Sequence, residues 1–251
     1  MIKAIMHGCN GKMGQIISHF AAKDTELKIV AGIDVYDEQL NDYPVFKSLD
    51  RCDVKADVII DFCSARAVDS LLDYCEKTKT PVVLCTTGLS KEQLDRVDAL
   101  SKECAVLRSA NMSLGINLLL KLVKEAAARL SDAGFDIEIV EKHHNQKLDA
   151  PSGTAIALAD SMKEVLSDDY FYVYDRSSVR QKRDPKEIGI SAVRGGNIVG
   201  EHEVIFAGTD EVVEFKHTAY SKAVFAKGAL VAAKYLAGKP AGMYDMQDVI
   251  L

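Results

Sequence analysis

Two hydrophobic periods alternate along the first 110 residues. Ile2 to Met6 is a short, β-branched apolar run. It meets a glycine-rich turn and then Met13, Ile16, Ile17 and Phe20, whose spacing puts them on one face of a helix. Leu27 to Asp34, Ala56 to Phe62, Pro81 to Cys85 and Ala105 to Ala110 read as further strands. Between them ARAVDSLLDYCEK and SKEQLDRVDALSK read as helices, the second opening on a capping box of Ser90 and Gln93. Strands and helices alternating at this spacing predict a doubly wound parallel sheet covered on both faces.

The rhythm changes after Asn111. SLGINLLLKLVKEAAARL predicts one long amphipathic helix, DIEIVEK a strictly alternating strand, and Ser152 to Leu166 another helix. GISAVR, HEVIFAG and EVVEFKHTA then read as successive strands joined by short polar turns, the habit of an antiparallel sheet. The closing AVFAKGALVAAKYLAG is a helix to which that sheet offers no obvious partner, so it is expected to return to the first domain. The expected organisation is α/β: a doubly wound domain of residues 1–111 and about 221–251, and an α+β domain of residues 112–220 with a mostly antiparallel sheet.

Composition narrows the function. A formal net charge of −6 excludes the basic surface that general nucleic-acid or anionic-membrane binding requires, while leaving room for a local cationic cluster. No apolar run reaches membrane-spanning length and the N-terminus MIKAIMHG lacks the layout of a signal peptide, so a cytoplasmic protein is expected. The six cysteines fall at positions 9, 52, 63, 75, 85 and 104, with no C-x-x-C pair, which points to reduced thiols and no metal site.

HGCNGKMG sets Gly8, Gly11 and Gly14 between the first strand and the first helix, with Asp34 twenty residues beyond the last of them. Glycines there let a pyrophosphate approach the helix N-terminus, and an acidic group at the end of the second strand suits a ribose hydroxyl. The same triplet is also compatible with a tight strand-to-helix turn that binds nothing. Lys12 favours a 2′-phosphate and Asp34 opposes one, so NADH and NADPH both stay open. Ligands in such sheets lie beyond the carboxyl ends of the strands, which brings in Phe62-Cys63-Ser64, Thr86-Thr87-Gly88 and Ser109-Ala110-Asn111.

The densest chemistry is in EIVEKHHNQKLDAPSGTA, Glu138 to Ala155. His143 and His144 emerge from a strand, Lys147 and Asp149 follow, and Pro151 forces a helix to begin just after it. Ser152, Gly153 and Thr154 then present backbone N–H groups and two hydroxyls at a helix N-terminus, which suits a carboxylate with an acid close by. Paired surface histidines beside an ordinary helix cap would give the same pattern. His202 and His217 are too scattered to complete a zinc site.

This stretch resembles the signature of the dihydrodipicolinate reductase family, roughly E-[IV]-x-E-x-H-H-x-x-K-x-D-x-P-S-G-T-A. GCNGKMG, IIDFCS, TTG, SANMSLGIN, RGGNIVGEHEV and GMYDMQDVIL extend the likeness over the whole chain. Met112 departs from it, standing where the family often has an aromatic residue. The resemblance implies a Rossmann-type domain and hydride transfer from NADH or NADPH to a small cyclic dicarboxylate, with loss of water, in diaminopimelate and lysine biosynthesis. It implies cofactor contacts at Gly8, Asn10, Gly11, Lys12, Met13, Gly14, Asp34, Phe62, Thr86, Thr87, Gly88, Ser109, Asn111 and Met112. It implies His143 and Lys147 as the proton-donor pair, the final acid being either, and His144, Lys147, Ser152, Gly153 and Thr154 as carboxylate binders. A homotetramer formed through the second domain's sheet is also implied. The rival readings are a non-catalytic NAD(P)-sensing protein, which has no use for the His143–Thr154 cluster, and another two-domain dehydrogenase. A semialdehyde dehydrogenase needs a cysteine between its domains, and none lies beyond Cys104.

Overall fold

The structure is a computed structural model and describes residues 1–109 and 111–250; Ala110, the last residue of one predicted strand, and Leu251 lie outside the described residues. In chain order the elements are β1 (Ile2–His7), α1 (Lys12–Ala21), β2 (Leu27–Ile33), β3 (Val45–Phe46), β4 (Val58–Asp61), α2 (Val68–Thr78), β5 (Val82–Leu84), α3 (Lys91–Ser101) and β6 (Ala105–Arg108). They continue with α4 (Leu114–Leu130), β7 (Asp136–His143), α5 (Gly153–Lys163), β8 (Phe171–Val173), β9 (Glu187–Arg194), β10 (Gly200–Ala207), β11 (Val212–Ala219), α6 (Ala223–Leu236), β12 (Gly242–Tyr244) and α7 (Met246–Val249). The chain divides into two compact units, Met1–Ser113 with Ala223–Leu251, and Leu114–Lys222.

In the first unit seven strands form one sheet in the order β12-β6-β5-β4-β1-β2-β3, every pair parallel. This is the doubly wound sheet that the strand–helix alternation predicts. Apolar runs such as Val58–Ile60 and Val82–Leu84 are buried on both faces, because helices cover both sides. One face packs Met6, Ile60, Val83 and Leu107 against α1 and α6, and the other packs Ile5, Ile59, Val82 and Val106 against α2 and α3. The predicted capping box forms: Ser90 Oγ accepts from Gln93 N and Gln93 Oε1 accepts from Ser90 N. The short β3 and β12 have too few residues to show a period, and the sequence pattern does not reveal them.

The second unit holds a five-stranded sheet in the order β11-β10-β7-β9-β8, backed by α4 and α5. It is mixed. β10 runs antiparallel to both β11 and β7, but β9 is parallel to β7 and to β8. Of the three late strands, β10 and β11 pair antiparallel as their short turn suggests, but β9 and β10 do not, because β7 lies between them. The link between β9 and β10 crosses over the end of β7, with Gly195 N donating to His143 O (2.9 Å) and Asn145 N to Gly196 O (3.2 Å). Gly196 makes this crossing at φ +49°. The central strand thus delivers His143 directly beneath a loop from another part of the chain.

Candidate active site

In the first unit, Gly8 has φ +84°, and a Cβ on it would lie 2.7 Å from Phe62 O. A Cβ on Gly14 would run into Gly8 O and lie 2.6 Å from Cys9 O. Gly11 is the N-cap of α1 and brings no side chain to it. The turn is thus kept bare where a helix N-terminus can take an anion. Asp34, just past β2, accepts from Asn10 N (3.0 Å) and Tyr36 N (3.2 Å), while the Asn10 amide donates to Tyr36 O (2.7 Å) and Glu38 O (2.9 Å). A cavity of about 590 Å³ opens here, lined by Gly8, Gly11, Asp34 and Phe62 together with His7, Lys47 and Arg66. Bare turn, helix N-terminus, terminal carboxylate and cavity together fit a nicotinamide dinucleotide.

Other predicted cofactor residues have prior engagements. The Thr86 hydroxyl proton is shared between Asp61 Oδ2 (2.6 Å) and Cys63 O (3.1 Å), so the hydroxyl can meet a ligand only as an acceptor. Met112 is buried in the core and Met13 packs against it. Lys12 begins α1 on the exterior and does not line the cavity, where the cations are Lys47 and Arg66. Thr87 and Gly88 lie exposed beyond β5, and Ser109 Oγ donates to Asn111 O (3.2 Å) beyond β6. Sequence spacing does not single out His7 and Asp61, which pair at 2.8 Å at the carboxyl ends of β1 and β4. Cys63 offers its sulfur within 4.8 Å of both. Two ligands on one tetrahedral zinc stand about 3.3 Å apart, so the shorter His7–Asp61 contact is a hydrogen bond and not a shared ion. The cysteines are free, and burial pushes the Cys9 thiol up to about 12 and those of Cys63 and Cys75 higher still. None has the reactive thiolate that a semialdehyde dehydrogenase requires.

The second unit gathers the signature around one carboxylate. β7 alternates strictly, and its inward positions are Ile137, Ile139, Glu141 and His143. The last two break the apolar rule of that face, a signal already present in DIEIVEKH. Glu141 is fully buried. Its carboxylate meets His143 Nδ1 at 2.6 Å, accepts the Arg194 fork at 2.7 Å on each oxygen, and accepts Ser152 N at 2.9 Å. Burial alone would raise its carboxyl pKa, but Arg194, His143 and the Ser152 N–H outweigh that and hold it below the usual carboxylate range. Gly200 lies opposite His143 on β10, and a Cβ there would stand 3.1 Å from His143 Nε2, so the glycine makes room for the ring.

Ser152 caps α5, accepting Ala155 N at 3.2 Å, and its hydroxyl also meets His202 Nε2 at 2.9 Å. Ser152 is 2% exposed and its hydroxyl is turned away from solvent, so the anion-facing groups of the turn are its N–H groups. Gly153 is exposed with open space where a side chain would be. Asp149 accepts Lys147 Nζ at 2.8 Å and also the Gly153 N–H. Lys147 chiefly, with these backbone donors, holds the Asp149 carboxyl below its usual range. Lys147 is thus paired with an anion two residues further along the chain. His144 is half-buried beside it, and its carbonyl accepts Lys147 N at 3.1 Å.

His202, too distant in sequence to be grouped by spacing, is brought in by the fold. Its ring stands edge-on to His143 with centroids 5.1 Å apart, and Arg194 comes from β9, so both belong to this cluster. Burial first, then His143, pushes the His202 pKa down to about 4 from 6.5. Its Nδ1 has no hydrogen-bond partner among the described residues. An unfolded chain takes up this proton near pH 6.5 and the folded chain resists it until about pH 4. Stability from this group is therefore lost as pH falls through that window, by up to about 3 kcal/mol. Urea unfolding from pH 7 to pH 4 is expected to show this decline, and His202→Gln to flatten it. An unchanged slope in the variant would assign the decline to other groups.

A doubly wound sheet with a cleared glycine turn, in one chain with a unit carrying a histidine–lysine–carboxylate cluster, defines an NAD(P)-dependent oxidoreductase. Residues 2–112 match the family model for the N-terminus of dihydrodipicolinate reductase, and residues 115–250 that for its C-terminus. The chain belongs to the dihydrodipicolinate reductase family. It is 53% identical over 250 residues to the 4-hydroxy-tetrahydrodipicolinate reductase of Clostridium novyi (strain NT), covering 100% of this chain and 98% of the relative. A reductase of the same name from Caldanaerobacter subterraneus subsp. tengcongensis is also 53% identical, with the same coverage. Among solved structures, a dipicolinate-bound dihydrodipicolinate reductase from Paenisporosarcina sp. TG-14 superposes with a TM-score of 0.82 at 25% identity, over the full length of both chains. A probable dehydrogenase from Thermotoga maritima, at 10% identity and a TM-score of 0.63, shares the fold.

Proposed function

We propose that this chain reduces 4-hydroxy-tetrahydrodipicolinate to tetrahydrodipicolinate with release of water, as a cytoplasmic step of diaminopimelate and lysine biosynthesis. The observation that carries the reading is the Asp149 carboxylate, held by Lys147 Nζ and the Gly153 N–H. That pair of donors, a mobile ammonium and a helix N-terminus, is built to take a carboxylate, and a substrate carboxylate competes for the same groups. NADH or NADPH, when bound, supplies the hydride. The chain's part is to bind, orient and protonate. Lys147, Gly153, Thr154 and His144 hold the substrate's two carboxylates, with Ser152 fixing the turn from behind. His143 and Lys147 are the groups from which a proton quenches the negative charge that hydride addition leaves. Gly8, Gly11 and Gly14 clear the way for the pyrophosphate, and Asp34 receives the ribose.

Activity is tested by following NADH and NADPH oxidation with substrate generated in place from pyruvate and aspartate semialdehyde by the preceding synthase. Turnover that depends on the synthase supports the reading; cofactor binding with no turnover would return the sensor alternative. Asp34→Ala is expected to weaken NADH by on the order of 10-fold, the size of one lost charge-assisted hydrogen bond. NADPH should weaken less, because its 2′-phosphate no longer faces a carboxylate. A uniform loss would mean that Asp34 serves only to pin Asn10 and Tyr36. The assembly fits a homotetramer through the second unit's sheet: α4 and α5 back one face, and the opposite one carries Val140 and Ile205 beside the Lys142–Glu201–Lys216 ion pairs.

A further inference from the structure

We propose that Glu141 is the positioning residue of the site, holding His143 in the tautomer with its proton on Nδ1, and fastening the carboxylate-binding turn to the same point. This rests on the reading of His143 as a proton-transfer group. An ionised carboxylate can only accept hydrogen bonds, so at 2.6 Å the shared proton belongs to His143 Nδ1. Nε2 is then the nitrogen left to exchange protons, and it lies over Gly200, where the missing side chain gives the ring its place. Buried carboxylates on this scale persist only when their lone pairs are filled, and here they are. Arg194 supplies a two-pronged partner to both oxygens and Ser152 a backbone donor to one.

The same carboxylate reaches the substrate turn by two routes. Its bond to Ser152 N fixes the residue that caps α5, next to Gly153. Arg194, while gripping Glu141, also donates through Nη2 to Asp149 O at 2.6 Å, just ahead of that turn. One side chain at the end of a central strand therefore sets the ring that moves the proton and the backbone that receives the carboxylate. A filler would not need that geometry, because an apolar residue continues the Ile137–Ile139 face more cheaply. In known triads, replacing an orienting carboxylate by its amide leaves the wrong tautomer and costs up to about 10⁴ in kcat.

The test combines kinetics with the tautomer itself. Long-range ¹H–¹⁵N correlation spectra of the full chain, with His143 assigned by its loss in His143→Asn, are expected to show the proton on Nδ1. A wild-type ring protonated on Nε2 in its neutral form overturns the proposal without any variant at Glu141. Glu141→Gln is expected to populate both tautomers and to lower kcat by on the order of 100-fold, with nicotinamide affinity unchanged. Glu141→Asp, which keeps the charge, is expected to recover part of both. Loss of activity in Glu141→Gln with the tautomer unmoved would reduce Glu141 to a structural pair for Arg194, and full activity would remove it from the site. Because the spectra are read without substrate, failure of wild-type turnover would count against the proposed reaction and leave the tautomer result standing.

Discussion

Lys147→Ala is expected to lower kcat by about 10²–10⁴, the range of a lost acid catalyst, or more, while NADH and NADPH bind as before. The size follows from two duties. Lys147 Nζ sits 2.8 Å from the Asp149 carboxylate at the edge of the α5 N-terminus, and the proposed reaction has it both hold a carboxylate and release a proton. Losing the first duty alone raises KM, because that contact exists in ground state and transition state alike. Losing the second lowers kcat. Lys147→Arg separates them, since a guanidinium keeps the charge but does not give up a proton. If arginine restores kcat, the positive charge and not a proton is what Lys147 gives to the chemical step, and His143 carries the proton. If it restores only KM, the ammonium is the acid. Full activity in Lys147→Ala would take the residue out of the mechanism.

The other large effect belongs to Gly14. In an ordinary helix, glycine to alanine stabilises by up to about 1 kcal/mol. Here the added methyl would meet Gly8 O and stand 2.6 Å from Cys9 O, and both are backbone atoms of the turn itself. The turn must open or the helix must move away from β1. Gly14→Ala is therefore expected to destabilise the fold, and to weaken NADH and NADPH together by on the order of 100-fold, as a loss of about 3 kcal/mol would. Gly153→Ala serves as the contrast, because nothing lies within 4 Å of its new methyl. Its effect on cofactor affinity should be nil. Titration of both cofactors by fluorescence checks the pair, and wild-type affinity in Gly14→Ala would mean that the pyrophosphate does not use this turn.

Much of the fold is legible in the chain because much of it is local. Period and β-branching alone mark β1, β2, β4, β5 and β6, and Ser90 with Gln93 marks where α3 begins. The turn at Ser152–Thr154 is likewise announced by Pro151. What escapes a linear reading depends on pairing across the sheet. Strand order in the second unit is set by which long-range partners bury β7 on both sides, and short turns say nothing of that. Glu141 gains its meaning from Arg194, 53 residues away, and Ser152 from His202, 50 residues away. Thr86 lies at the end of β5 where a ligand contact is reasonable, yet its hydroxyl answers to Asp61 on a neighbouring strand. One further clue is local: Glu141 and His143 take inward places on a strand whose other inward residues are isoleucines.

The return of the chain to its first unit has a consequence for synthesis on the ribosome. Ala226, Ala229, Leu230 and Ala233 of α6 share one core with Met6, Ile60, Val83 and Leu107, and β12 supplies the edge beside β6. The unit begun before the other is thus finished after it. Until residues 223–251 leave the exit tunnel, the sheet has six of its seven strands and the part of its face that α6 covers lies open, whereas residues 114–222 form a contiguous insert with an apolar core of its own. Nascent chains of this protein should lean on holding chaperones at that interval. A premature stop after β11 leaves a complete second unit joined to an unfinished first one.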